Sequence, residues 1–350
     1  MSDHEYRDIE VIAASGGEAV LIPRRRGGWK LGLLGGLAVL VLVALGLDAY
    51  YLISRKPLTE MLPPAAAVTK SVPPAYVASF YGVNGPTGVA VSPDAQRIYV
   101  AEGDGDHLLR AFDRTGKELF NFSPSDSQAS QRSPEYLAVD GKGQLYVADS
   151  ARRRVSIYGA DGRFISDVNL PQAEPSSYPL GVAFDRKGDL LVTDISADRH
   201  SVIVMDQQGK LVRQLGKTGT GAGEFSFPNQ AAADSRGRLY VTNGNDGRVD
   251  MFGSDGNYVG PLATGNNTGS VGLPRGIVVD NLDRLYVVDS VGCTVEVFDV
   301  SGDKPSFLYS FGGPGTGGGE LSYPVGIAVD STGRIYVADR GNARLEVWSY

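Results

Sequence analysis

A single cysteine, Cys293, among 350 residues excludes any internal disulfide. It leaves the compartment open, because oxidising surroundings permit disulfides without requiring them. Histidine is nearly as scarce. His4 lies in the N-terminal head, and only His107 and His200 remain for the rest of the chain, a poor supply for a zinc site that ordinarily draws on two or three imidazoles. Basic excess is also missing. The formal net charge is −7, with the acidic surplus in the C-terminal four-fifths and no basic stripe. Neutralising phosphates supplies most nucleic-acid affinity, so no nucleic acid is expected as a partner. Tryptophan occurs twice, against 17 tyrosines and 46 glycines, a balance suited to a β-protein with many tight turns.

What is present is repetition. Pro324-Val-Gly-Ile-Ala-Val-Asp330, Arg334-Ile-Tyr-Val-Ala-Asp339 and Arg344-Leu-Glu-Val-Trp348 form the cleanest copy, and relatives begin at Pro86, Pro134, Pro179, Pro228 and Pro274, at spacings of 45 to 50 residues. That period, built of short β-rich runs, predicts an all-β fold, a six-bladed β-propeller over 76–350. Each copy reads as three strands and then a fourth, at Glu118–Phe122, Phe164–Val168, Leu211–Leu215, Tyr258–Leu262 and Phe307–Phe311. The sixth copy reaches Tyr350 after three strands. Tyr76-Val-Ala-Ser-Phe-Tyr81 resembles Phe307–Phe311, so an N-terminal strand is expected to complete the last blade and close the ring, removing a free sheet edge.

One apolar run precedes the repeats. Leu31–Leu47 carries no charge, and a helix continued to Ile53 passes the roughly 30 Å hydrocarbon thickness. Trp29, Tyr50 and Tyr51 flank it, and Arg24, Arg25, Arg26 and Lys30 precede it. The expected layout is a short disordered cytoplasmic tail over 1–29, a single transmembrane helix over 30–53 in contact with the lipid bilayer, a Pro-rich linker over 54–75, and the propeller outside the cytoplasm. A cleaved signal peptide ending near Ala44-Leu-Gly46 is the competing reading; the charged head and the length of the run favour an uncleaved anchor.

The string Gly-Glu-Leu-Ser-Tyr-Pro-Val-Gly-Ile-Ala-Val-Asp over 319–330, followed by Ile-Tyr-Val-Ala-Asp and then Asn342-Ala-Arg-Leu-Glu-Val-Trp348, resembles the NHL repeat. Residues 130–158 and 223–252 resemble it well. The first and third copies depart from it: Ser92 replaces the turn Asp, Glu102 replaces the second-strand Asp, and an insertion follows Asp194 up to His200. The resemblance implies a six-bladed propeller and leaves the activity open, since the family includes sensor-kinase ectodomains, RNA-binding regulators and amidating lyases, and related propellers include metal-dependent lactonases. The His-rich zinc centre of the lyases has no counterpart here.

Second-strand polar residues recur as Glu102, Asp149, Asp194, Asn243, Asp289 and Asp339, with Arg154, Arg248 and Arg344 five residues after three of them. A group present in every blade is read as structural, each acid bonding its own loop backbone or that arginine. Residues that break the repeat carry more information. Glu135, Asn229 and Arg275 follow the inter-blade prolines, and Tyr178, Phe227 and Tyr323 precede them, in loops expected at the axial mouth. No cofactor is expected beyond Ca²⁺, for which Glu135, Asn229, Asp194 and Asp149 offer suitable oxygen ligands. Arg275, Tyr178, Phe227 and Tyr323 are candidate ligand contacts. The expected function is a membrane-anchored binding or scaffold module for a protein or glycan partner. The alternatives are a calcium-dependent lactonase or esterase acting at the axis and a sensor ectodomain of a signalling complex.

Overall fold

Each blade begins with a tight hairpin whose chemistry is written in its turn. In Asp330-Ser-Thr-Gly333 the Asp330 carboxylate accepts the amides of Thr332 (2.8 Å) and Arg334 (3.0 Å), while Gly333 takes φ +86°. Asp140, Asp185, Asp234 and Asp280 do the same two and four residues on. Asp283 and Ala95 occupy the left-handed position of their turns without glycine, at φ 55° and 56°.

In this computed structural model the described residues are the strands at 9–13 and 19–23 and residues 70–350, except 125, 172–176 and 263–268. Six four-stranded antiparallel sheets make the ring; five run outward in chain order, and the sixth ends on a strand from the N-terminal side of the repeats. Blade 1 comprises Pro86–Val91, Ile98–Glu102, Leu109–Phe112 and Glu118–Phe122. Blade 2 comprises Pro134–Val139, Leu145–Asp149, Arg154–Tyr158 and Phe164–Asp167. Blade 3 comprises Pro179–Phe184, Leu190–Asp194, Ser201–Met205 and Leu211–Leu215. Blade 4 comprises Pro228–Ala233, Leu239–Asn243, Arg248–Phe252 and Tyr258–Pro261. Blade 5 comprises Pro274–Val279, Arg284–Asp289, Thr294–Asp299 and Ser306–Gly312. Blade 6 comprises Pro324–Val329, Arg334–Asp339 and Arg344–Ser349, completed by Ala75–Phe80. The closing strand pairs antiparallel with the third strand, Phe80 opposite Leu345 and Ala75 opposite Ser349, as the sequence predicts. Phe80 is buried with Tyr336, Leu345 and Val347 between blades 6 and 1.

Around the axis the first strands approach so closely that glycine is required. A Cβ at Gly88, Gly181, Gly276 or Gly326 would lie 2.2–2.5 Å from a carbonyl oxygen of the next blade. Inside them runs a cavity of about 190 Å³ walled by Val, Ala, Ile, Leu and Phe184, with Gln230 its only polar side chain among the described residues. That amide is already engaged, Oε1 accepting the Ile277 amide at 3.1 Å.

The chain divides into compact units at 1–65 and 66–350. In the first, Ile9–Ala13 pairs antiparallel with Ala19–Pro23, within the stretch read from sequence as a disordered tail. The helix expected over 30–53 lies outside the described residues, as does the linker up to residue 69. Among the described residues no helix is long and apolar enough to cross a membrane. The end of the expected linker is already docked: Lys70 is buried, its Nζ donating to Asp299 (2.9 Å) and Ser301 (3.0 Å) of blade 5.

Candidate functional site

The second-strand polar residues act as staples, as their recurrence suggests, but on an unexpected partner. Proline lacks an N–H, so the amides just ahead of each inter-blade proline fall outside the ladder and need an acceptor. Glu102 accepts from Asn84, Asp149 from Ser133, Asp194 from Tyr178, Asn243 from Ser226, Asp289 from Leu273 and Asp339 from Ser322, all at 2.7–3.0 Å. The bond thus pins the loop before the first strand, as well as the loop after the second. The arginine pairing expected from sequence holds for Arg344, which meets Asp339 at 2.9 Å and Glu346 at 2.6 Å. Arg248 instead pairs with Asp250, and Arg154 with Asp167.

Pinned in this way, the loops before and within the first strands surround one end of the axis. Of the eight residues singled out by sequence, the structure joins four there. Arg275 donates from Nη1 to Asn229 Oδ1 (2.9 Å) and from Nη2 to the Tyr323 hydroxyl (3.1 Å). Asn229 is fixed in turn, its Nδ2 donating to Pro274 O at 3.2 Å. Glu135 sits across from them, accepting from Ser133 Oγ (2.8 Å) and Ser150 Oγ (3.2 Å). Burial pushes the Glu135 carboxyl above the usual carboxylate range, opposed by those two hydroxyls and by Arg340 and Arg275.

The other four stand apart from this group or beneath it. Asp149 and Asp194 use their carboxylates on backbone amides, Asp149 also holding the Arg152 amide and Asp194 that of Ser196. Among the described residues no group of three or more His, Cys, Asp or Glu is placed to hold a metal. Tyr178 is half-buried beneath the Arg153 guanidinium, 5.4 Å from its ring centre. Phe227 packs on the buried trio Tyr136, Leu180 and Val325, which floors the mouth.

Phe227 and Tyr323 share a backbone peculiarity. Both precede proline with positive φ, 67° and 48°, where blade 1 uses Gly85 at 51°. A side chain in this region costs roughly 1–3 kcal/mol, so two aromatics are held at the mouth against local preference. Tyr323 remains 40% exposed there.

Two residues escaped the sequence reading. Tyr136 occupies the position that is glycine in four other blades, and that substitution was the available signal. It is 3% exposed, yet its hydroxyl has no hydrogen-bond partner; neither has the buried Arg275 Nε. Burial raises the Tyr136 phenol further, so it stays protonated and a donor. Arg340 follows the second-strand Asp339 and reaches Asp104 across the ring joint at 3.1 Å. The mouth therefore combines an apolar floor, a carboxyl raised above its usual range, two guanidiniums and two buried donors without acceptors. His200 stands beside this arrangement, its Nδ1 against Phe225 O (3.1 Å) and the Phe227 amide (3.3 Å).

Fold and mouth together define a six-bladed propeller with a polar, aromatic-framed mouth at one end of its axis. Residues 321–348 match the NHL repeat, and residues 75–196 match the SMP-30/gluconolactonase/LRE-like region. The chain is a six-bladed β-propeller that carries a matched NHL repeat and a matched SMP-30/gluconolactonase/LRE-like region. Protein brain tumor of Drosophila melanogaster is 30% identical over 129 residues, 36% of this chain and 12% of that protein. B-box type zinc finger protein ncl-1 of Caenorhabditis elegans is 28% identical over 127 residues, 35% of this chain and 14% of that one. The matched part thus spans about an eighth of the length of these relatives. Virginiamycin B lyase from Staphylococcus aureus superimposes with a TM-score of 0.55 at 16% identity, covering 79% of this chain and 99% of that structure, a likeness of fold alone.

Proposed function

We propose that this propeller is a protein-binding module that seats a segment of its partner on the axial mouth, held at a membrane surface by residues 30–53 and facing away from the cytoplasm. The observation that carries the reading is the pair of buried donors, Tyr136 hydroxyl and Arg275 Nε, left without acceptors above an apolar floor. A buried donor without a partner costs about 1–3 kcal/mol, and a ligand carbonyl or carboxylate arriving there offsets that cost. Tyr323 and Phe227, strained and aromatic, frame the same opening. A lactone hydrolase working through calcium needs converging oxygen ligands, and Asp149 and Asp194 are turned to backbone amides instead, so binding is the better-supported reading.

Photo-crosslinking tests it. A benzophenone amino acid placed at Tyr323 in the full chain is expected to give one dominant protein adduct, reduced at least tenfold by Arg275→Ala. The same group at Ser331, on the opposite end of the axis, is expected to give none. Equal adducts from both faces, or adducts insensitive to Arg275, would sink the proposal.

A further inference from the structure

Between blades 2 and 3, on the opposite end from the mouth, lies a cleft of about 730 Å³. Its walls include Tyr146 and Phe184, whose rings meet edge to face at 4.9 Å, with Leu190 and Met205. The repeat itself shows what belongs there. In blade 4, Arg238 bonds the turn carboxylate of Asp234 at 2.6 Å, and its remaining nitrogens reach the carbonyls of Val300 and Asp303 in the neighbouring blade. In blade 5, Arg284 bonds Asp280 at 2.6 Å and lies 3.7 Å from the centre of the Tyr350 ring. In blade 6, Arg334 bonds the Arg114 carbonyl of blade 1, and Arg114 returns its own guanidinium to Asp330 at 3.4 Å. Three joints thus place a guanidinium against the Oδ2 of the turn aspartate. In each of these blades a second-strand tyrosine, Tyr240, Tyr286 or Tyr336, donates to that same oxygen.

Blade 2 keeps the receptor and lacks the occupant. Asp140 and Tyr146 stand in the expected places. Gln144 replaces the arginine of its own strand, and Gln207 replaces the arginine that the next blade would send back, its amide turning to Lys187 O. Asp140 holds the Lys142 and Gln144 amides with Oδ1. Among the described residues nothing pairs with its Oδ2, and nothing bonds the Tyr146 hydroxyl. No other blade of the six combines the turn aspartate and the tyrosine with loss of both arginines. Asp185 and Asp206 add carboxylates to the cleft. Lys142 and Lys187 are exposed at its rim, and Arg186 is turned away to Asp283 at 3.2 Å.

The geometry points to a ligand site for a guanidinium group, as carried by an arginine side chain, seated on Asp140 Oδ2 and the carbonyls of the 206–209 turn with its plane against the Tyr146–Phe184 pair. Planar, multiply donating guanidinium fits an acid, carbonyls and an aromatic face together; an ammonium satisfies the acid alone. The volume lies within the range of small-ligand sites. The site is separate from the axial mouth, and its test does not depend on that reading.

Methionine-methyl NMR on the full chain reads the site directly, because Met205 lines the cleft and the sequence holds only four methionines. Titration with N-acetyl-arginine amide is expected to shift the Met205 methyl saturably, leave Met251 in blade 4 unmoved, and bind at least tenfold tighter than N-acetyl-lysine amide. Gln144→Arg supplies the guanidinium in cis. It is expected to raise the thermal midpoint and weaken binding at least tenfold. Asp140→Asn keeps the Oδ1 acceptor that holds the turn and is expected to weaken binding equally with the fold intact. No Met205 shift at 10 mM arginine amide, equal response to the lysine analogue, or undiminished binding by Asp140→Asn would each overturn the assignment.

Discussion

Glu135 shows how a single side chain ties stability to function at the mouth. Burial raises its pKa, so the folded state favours the protonated form. Below the unfolded pKa, near 4.3, both states are protonated and Glu135→Gln matches the parent. As the pH rises through the raised folded value, the parent must ionise a buried carboxyl and loses stability that the glutamine variant keeps. Thermal unfolding from about pH 4 to pH 8 should therefore show a midpoint difference near zero at the acid end that grows in favour of Glu135→Gln. A flat difference would mean that the carboxyl is solvated. Glu135 was legible in the sequence because it interrupts a repeat. Tyr136 interrupts the same repeat one position later, at a site where glycine is the rule, and only its burial with an unpaired hydroxyl reveals its weight.

Among the elements, the strand Ala75–Phe80 has the largest leverage. It is the one piece of the ring imported from the other end of the chain, and it covers the edge of Arg344–Ser349. Its side-chain links are specific: Ser79 donates to the buried Glu346 at 2.9 Å, and Tyr76 meets Trp348 edge-on. Removing residues 1–81 exposes a paired edge and strips Phe80 from the joint between blades 6 and 1. Loss of a buried Phe alone costs about 3–5 kcal/mol, so the shortened chain is expected to unfold at least 10 °C lower and to aggregate through the bare edge. Light scattering and calorimetry check this; an unchanged midpoint would show that the ring holds without its closure. Strand positions were readable to within a residue or two, since period-2 alternation and Asp-x-x-Gly turns are local. The partner of each second-strand acid was not, because the amide it holds lies 16 to 18 residues upstream and only the folded hairpin brings the two together.

For the whole molecule, the proposed anchoring through residues 30–53 predicts a propeller outside the cytoplasm. Protease added to intact cells is expected to digest the propeller and spare a tagged N-terminus; a propeller protected until the cells are lysed would reverse the orientation. The sequence by itself determined the number of blades, the closure of the ring and the acidic, disulfide-free character of the chain, because repeats, turns and composition act locally and additively. Tertiary structure alone decided which polar residues come together. Curvature of the ring gathers Glu135, Asn229, Arg275 and Tyr323 from four different blades, turns Asp149 and Asp194 to backbone amides, and leaves Asp140 without the guanidinium that three other joints place on their turn aspartate. Those outcomes depend on distances between residues some 16 to 190 positions apart, which close packing around an axis fixes and no local pattern encodes.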